Sequence, residues 1–151
     1  MSNQNRVVLV YKDSEGKIAN ETIWVQVEGN NFKVDSIPFF APNLAMNDII
    51  SVEYDEGTMY FDGLIYPSGH STIQIIFFQL DAVNKVLKIL EGIGCTWEGL
   101  KNNPYFTIDI PTTVNYEVVR DFLNRKLAEK ILDFKEACLS DIHAAMINRH
   151  S

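Results

Sequence analysis

Ser71-Thr72-Ile73-Gln74-Ile75-Ile76-Phe77-Phe78 is the stretch on which the fold turns. Its unbroken Ile75-Ile76-Phe77-Phe78 run reads as a strand buried on both faces. Pro67-Ser68-Gly69-His70 breaks the chain just before it, and the sequence changes character across that break. Downstream, Asp81 is placed to cap a helix with its carboxylate, Val83, Val86, Leu87, Leu90 and Ile93 form an apolar stripe, and Gly94 ends it. Residues 95–100 and 105–110 read as a hairpin around Lys101-Asn102-Asn103-Pro104. A long helix is expected from about Asn115, with Val119, Phe122, Leu123, Leu127, Ile131, Phe134 and Cys138 on one face. The order strand, helix, strand, strand, helix is a ferredoxin-like β-α-β-β-α layer without its last strand. A right-handed crossover then makes strands 71–78 and 95–100 parallel and puts both helices on one face of the sheet.

Upstream of the break, short β-rich runs alternate with turn chemistry. Val7 to Tyr11 ends at Asp13-Ser14-Glu15-Gly16, and Ile23, Val25 and Val27 alternate with Trp24, Gln26 and Glu28. Gly29-Asn30-Asn31 turns the chain into Phe32-Lys33-Val34, and Asp55-Glu56-Gly57-Thr58 joins two further strands, 49–54 and 59–66. Five strands in so short a span predict a small, strongly bent sheet or half-open barrel. The expected fold class is α+β, with a β-rich subdomain over 1–67 joined to a ferredoxin-like subdomain over 68–151 in one compact unit.

With 151 residues, of which 46% are hydrophobic, the chain buries a sizeable core. The formal net charge is −7. Residues 1–70 carry four basic against ten acidic side chains, or −6, whereas residues 71–151 carry nine against ten, or −1. Such a field repels phosphate backbones and anionic lipid, so the expected partner is a basic protein, with no nucleic acid and no membrane. Met1 to Arg6 is polar, and no apolar run reaches about 18 residues, which points to the cytoplasm. Cys95 and Cys138, isolated in a reducing compartment, are read as unpaired thiols.

Ile37-Pro38-Phe39-Phe40-Ala41, Asn47-Asp48 and Ser68-Gly69-His70-Ser71-Thr72-Ile73 are the motifs by which the chain resembles a bacterial family described only as a domain of unknown function. Trp24 sits where that family has a tryptophan strand, and Gly94-Cys95 and Glu136-Ala137-Cys138 extend the likeness. Asn47 stands where the family favours glycine, a mild departure because asparagine tolerates the left-handed region. The resemblance implies a shared fold and transfers no catalytic residue. The resemblance also implies a small stand-alone protein of the kind expected of an immunity factor.

His70, beside Ser68 and Ser71 with Asp48 and Asp62 as candidate orienting acids, is the one place where a hydrolase could be written. Neighbouring residues usually point apart, and no G-x-S-x-G elbow occurs, so a structural turn or a partner contact is the simpler reading. His70, His143 and His150 share no ligand spacing, and no phosphate-binding glycine motif opens a helix, so neither a metal nor a cofactor is expected. Phe39 and Phe40 either anchor a partner, or plug the open end of the barrel or pack between its two layers. Asp13 and Glu15 on one turn, and Glu53, Asp55, Glu56 and Asp62 around another, form a candidate anionic surface. The combined expectation is a binding protein without turnover: an immunity protein or antitoxin that neutralises a basic toxin such as a nuclease domain, with a regulatory small-ligand module as the alternative.

Overall fold

The computed structural model describes residues 4–100 and 102–148. Lys101 of the expected hairpin loop, His150 and the first three residues of the polar start lie outside them. Alternating apolar residues put Val7, Leu9, Ile23 and Val25 on the inner side of β1 (Gln4–Lys12) and β2 (Ile18–Glu28), which pair antiparallel in unbroken register. β3 (Asn31–Val34), β4 (Ile49–Asp55) and β5 (Thr58–Tyr66) continue the meander. The barrel is closed, not half-open: β5 returns beside β1 in parallel, with the single register pair Val8↔Tyr60. Two slips of β5 against β4, which leave Asp62 and Ile65 as extra residues, supply the coiling that closes so small a sheet. Val27 continues the alternation of Ile23 and Val25 but is 53% exposed near the end of β2.

Beyond the break, β6 (Ser71–Phe77) lies between β8 (Tyr105–Ile110) and β9 (Leu132–Cys138), with β7 (Thr96–Gly99) on the far side of β8. All three pairings are antiparallel. β6 and β7 therefore run in the same direction, as the crossover through α1 (Val83–Ile93) requires, but β8 separates them. The long second helix is a misreading: α2 (Tyr116–Ala128) stops, and β9 supplies a fourth strand. Ile131, Phe134 and Cys138 fall at helical spacing, yet the chain turns at Lys130 with φ 59°. Leu132, Phe134 and Glu136 then share one face of β9 at period two, opposite Phe77, Ile75 and Ile73. A short α3 (Asp141–Asn148) follows. The result is a mixed α+β fold of mostly antiparallel sheets with three α-helices among the described residues.

Ile73, Ile75, Phe77, Ile108 and Ile110 face Val86, Leu87 and Leu90 of α1 and Val119, Phe122 and Leu123 of α2, each buried side chain contributing roughly 1.5–3 kcal/mol. α1 begins after a 3-10 turn, Leu80–Ala82, and Asp81 lies inside that turn, so no side chain caps the helix. Gly94 ends it at φ 119°, with Val114 Cγ2 only 3.0 Å from where a Cβ would sit.

The other face of the sheet is polar, and the 35–48 loop between β3 and β4 covers it. Thr72 Oγ1 donates to the Leu44 carbonyl (3.0 Å), Thr107 Oγ1 to that of Pro38 (2.8 Å), and Gln74 Nε2 to those of Phe39 and Phe40. The Glu21 carboxylate of the barrel in turn accepts the N–H groups of Phe39, Phe40 and Ala41. β6 is thus covered on both faces, by helices on one and by this loop on the other, which ties barrel and sheet together.

Candidate functional site

β5 ends at Tyr66 and β6 starts at Ser71, so Pro67 to His70 is a tight connection at the joint of the two sheets. Asp48, itself buried, fixes it: its carboxylate accepts Ala45 N–H (2.9 Å) from its own loop and Ser68 N–H (2.8 Å) from the connection. Ser68 Oγ donates to the Met46 carbonyl (2.7 Å) and accepts His70 N–H (3.1 Å). Gly69 has φ 92°, and a Cβ there would lie 2.7 Å from both Ile142 Cδ1 and Thr112 Cγ2. Only glycine fits that conformation and that space.

These contacts aim His70 at β8. Its Nδ1 lies 2.9 Å from Asp109 Oδ1 and 3.0 Å from Oδ2. A carboxylate only accepts, so Nδ1–H donates to Asp109, and Nε2 meets the Asn47 side-chain amide at 3.4 Å. Burial raises the Asp109 carboxyl above the usual aspartate value, the His70 hydrogen bond and charge oppose that, and Asp48 adds to it. Asn47 holds φ 68°, the left-handed conformation its side chain tolerates. The imidazole opens on a cleft of about 420 Å³ whose other walls include Asn43, Leu64, Cys138, Ser140 and Ile142. Burial first, and Asp48 second, push the Cys138 thiol up to about 11, so it stays protonated and poorly nucleophilic near neutrality.

Ser71 does not join His70. It points to the opposite side and lies 2.6 Å from Nδ1 of His143, a residue of α3 with no exposed surface. His143 Nε2–H donates to the Pro111 carbonyl (3.0 Å), so Nδ1 accepts the Ser71 hydroxyl. Ser71 Oγ also accepts Ser140 N–H (2.9 Å), and Ser140 Oγ accepts His143 N–H (3.2 Å). Burial lowers the His143 pKa below its ordinary value, opposed by the Pro111 bond. This second histidine fastens α3 to β6 and faces no cleft.

Asp109, not Asp62, is the carboxylate on the imidazole; Asp62 accepts the Ser51 hydroxyl at 3.1 Å on the barrel surface. The two acidic turns do not form one surface. β1 and β5 run parallel with Val8 beside Tyr60, so Asp13 and Glu15 follow the end of β1 whereas Asp55 and Glu56 precede the start of β5. They stand at opposite ends of the barrel, separated by about eight residues of strand or roughly 25 Å. Asp13 is also occupied locally, accepting the N–H groups of Glu15 and Lys17, and Glu15 pairs with Lys17 at 3.6 Å. Glu53, Asp55, Glu56 and Asp62 remain together on the β4–β5 hairpin. Phe39 and Phe40 do not plug the barrel. They meet edge to face at 4.7 Å beside Ile76 and Tyr105 on the sheet, with Phe40 54% exposed.

A family model described as a domain of unknown function, DUF4265, matches residues 21–134. The chain belongs to this family. A solved structure described as a novel crystal structure of a hypothetical protein from Neisseria gonorrhoeae is similar at 30% identity and a TM-score of 0.81, over 93% of this chain and 98% of that one. The comparison with curated proteins gives no match. The DUF4265 match takes in the whole β5–β6 connection and Asp109, but stops before Cys138 and His143. Among the described residues no helix is long and apolar enough to cross a membrane.

His70, Asp48 and Ser68 were legible as candidates. Asp109 was not singled out, although an aspartate between Ile108 and Ile110 in a buried strand is a signal, because a charge there needs a partner.

Proposed function

We propose that this DUF4265 protein is a binding protein without turnover, and that its recognition site is the cleft at the joint of the two sheets. The observation that carries the reading is the state of the groups around His70. Asp109 holds the imidazole in one orientation, but the Ser68 and Ser71 hydroxyls are spent on structural bonds and the Cys138 thiol is held neutral. An oriented imidazole without a nucleophile suits recognition of a polar group between the polar connection and the apolar Leu64 and Ile142. The strand order β7-β8-β6-β9, with α1 and α2 on one face, supports a ferredoxin-like layer as the second wall. The two free thiols agree with a cytoplasmic setting.

Neutralisation of a basic toxin is a second reading, supported by Glu53, Asp55, Glu56 and Asp62 on one hairpin and no longer by Asp13 and Glu15. Purification from the native host followed by native mass spectrometry tests the first. An added small mass should appear on the wild type and vanish in His70→Ala. Co-purification of a basic protein that survives His70→Ala would favour the second. Conversion of a host metabolite that is lost in a folded His70→Ala variant would overturn both.

A further inference from the structure

The bonding of β6 fixes which way β9 presents its backbone. Phe77 N–H donates to the Pro104 carbonyl and Phe78 N–H to that of Ile131, so successive residues of β6 turn their main-chain groups to β8 and to β9 by turns. Gln74 and Ile76 therefore bond their register partners Lys135 and Asp133, while Leu132, Phe134 and Glu136 turn their N–H and C=O groups away from the sheet. Phe134 N–H duly bonds Asp133 Oδ1 (2.7 Å) and not β6. β9 ends the order β7-β8-β6-β9, and among the described residues no strand lies beyond it. Only its last residues are covered, where Asn43 N–H donates to the Ala137 carbonyl (2.9 Å). Asp133 and Lys135 project side by side from the face opposite the helices, both exposed, and among the described residues neither is in an ion pair.

We propose that the open edge of β9 is a homodimer interface, on which a second copy of this chain lays its own β9 antiparallel across a two-fold axis at Phe134, joining the two four-stranded sheets into one. Charge complementarity selects both this occupant and this register. Pairing Phe134 with itself sets Asp133 opposite Lys135 of the second copy and Lys135 opposite its Asp133. Sliding the strands by two residues either way, the smallest slip that keeps the outward groups facing, sets Asp133 against Asp133 or Lys135 against Lys135. Charges on an edge ordinarily repel a further strand, but at this spacing they make the edge self-complementary, as a two-fold contact requires. The half of the chain that carries the edge has a net charge of only −1, so two copies meet there with little general repulsion. On the same face Phe40 and Tyr105, 54% and 45% exposed, line a cavity of about 200 Å³ with Asp133 and Lys135, and an added strand extends its bank on the β9 side. One bond is exchanged: Phe134 N–H leaves Asp133 Oδ1 for the carbonyl of Phe134 in the second copy, and the released carboxylate takes Lys135 of that copy. Neither this interface nor the His70 cleft requires the other.

Sedimentation equilibrium of the full chain should show a reversible dimer, and amide exchange at Leu132, Phe134 and Glu136 should slow as the concentration rises. Asp133→Lys and Lys135→Asp, both at exposed positions, should each weaken dimerisation at least tenfold by setting like charges opposite, with the circular dichroism spectrum unchanged. Mixed together, the two variants should form a heterodimer at least as tight as the wild-type dimer, because every opposing pair then has opposite signs. That rescue also shows both variants to be folded. A chain monomeric at every concentration, a dimer indifferent to both substitutions, or a mixture that stays monomeric would overturn the proposal, as would a monomer whose β9 edge instead captures an extended segment of another protein. His70→Ala should leave the dimer constant unchanged while removing the cleft ligand, so the two readings fail separately.

Discussion

His70 and His143 lie on either side of Ser71, and the fold treats them in opposite ways. His143 is sealed: one nitrogen donates to Pro111, the other accepts from Ser71, and burial keeps the ring neutral. His70 is held at one nitrogen by Asp109, and its other nitrogen has only the long 3.4 Å contact with the Asn47 amide beside a cleft. A histidine with both nitrogens in short bonds inside a sealed core is part of the scaffold, whereas one whose second nitrogen makes a long contact beside a cavity is accessible to a ligand. The chemistry of the two side chains is identical, and only the partners supplied by distant strands and helices distinguish them.

The largest expected effect lies on the sealed side. His143→Ala removes a fully buried ring and strands the Ser71 hydroxyl and the Pro111 carbonyl, so it should cost about 3 kcal/mol or more in urea unfolding. A loss below about 1 kcal/mol would mean that α3 does not depend on this residue.

The pH dependence sharpens the contrast. Because the folded pKa of His143 is lowered, the unfolded chain takes up a proton near pH 6.5 that the folded state refuses. Stability from this group is therefore complete above pH 6.5 and declines as pH falls toward the folded value, at up to about 1.4 kcal/mol per unit. Asp109, with a raised folded pKa, works in the opposite sense: its contribution is complete below about pH 3.8 and is lost as pH rises through the folded value. Urea titrations at pH 7.5, 6.5 and 5.5 should show wild type weakening, and His143→Gln should give a flatter profile. A wild type that strengthens between pH 6.5 and 5.5 would break the assignment.

The smallest effect on stability belongs to the open side. His70→Ala leaves Asp109 without its partner, but a carboxyl whose pKa is already raised by burial can take a proton, so the cost should be about 1 kcal/mol. Its principal consequence should be loss of the cleft ligand. An unfolding penalty equal to that of His143→Ala would make His70 a structural residue and remove the distinction.

The sequence by itself determined what depends on neighbours along the chain. Period-two burial in β1 and β2, the apolar stripe of α1, its stop at Gly94 and the break at Pro67-Ser68-Gly69-His70 were all written locally. Where two periods coexist, local pattern cannot arbitrate. Ile131, Phe134 and Cys138 suit a helix, Leu132, Phe134 and Glu136 suit a strand, and the open edge of β6 decides for the strand because it leaves backbone groups to be paired. The site shows the same division. Asp48 and Ser68 stand near His70 in the sequence motifs, but Asp109 reaches it from 39 residues away and Ser71 is drawn off by His143 from 72. The separation of the acidic turns likewise follows from β5 returning parallel to β1. Local sequence fixes which residues can form a strand, helix or turn, whereas the assembled sheets fix which side chains meet, because a polar or charged group takes its partner from whatever the fold brings within hydrogen-bond reach.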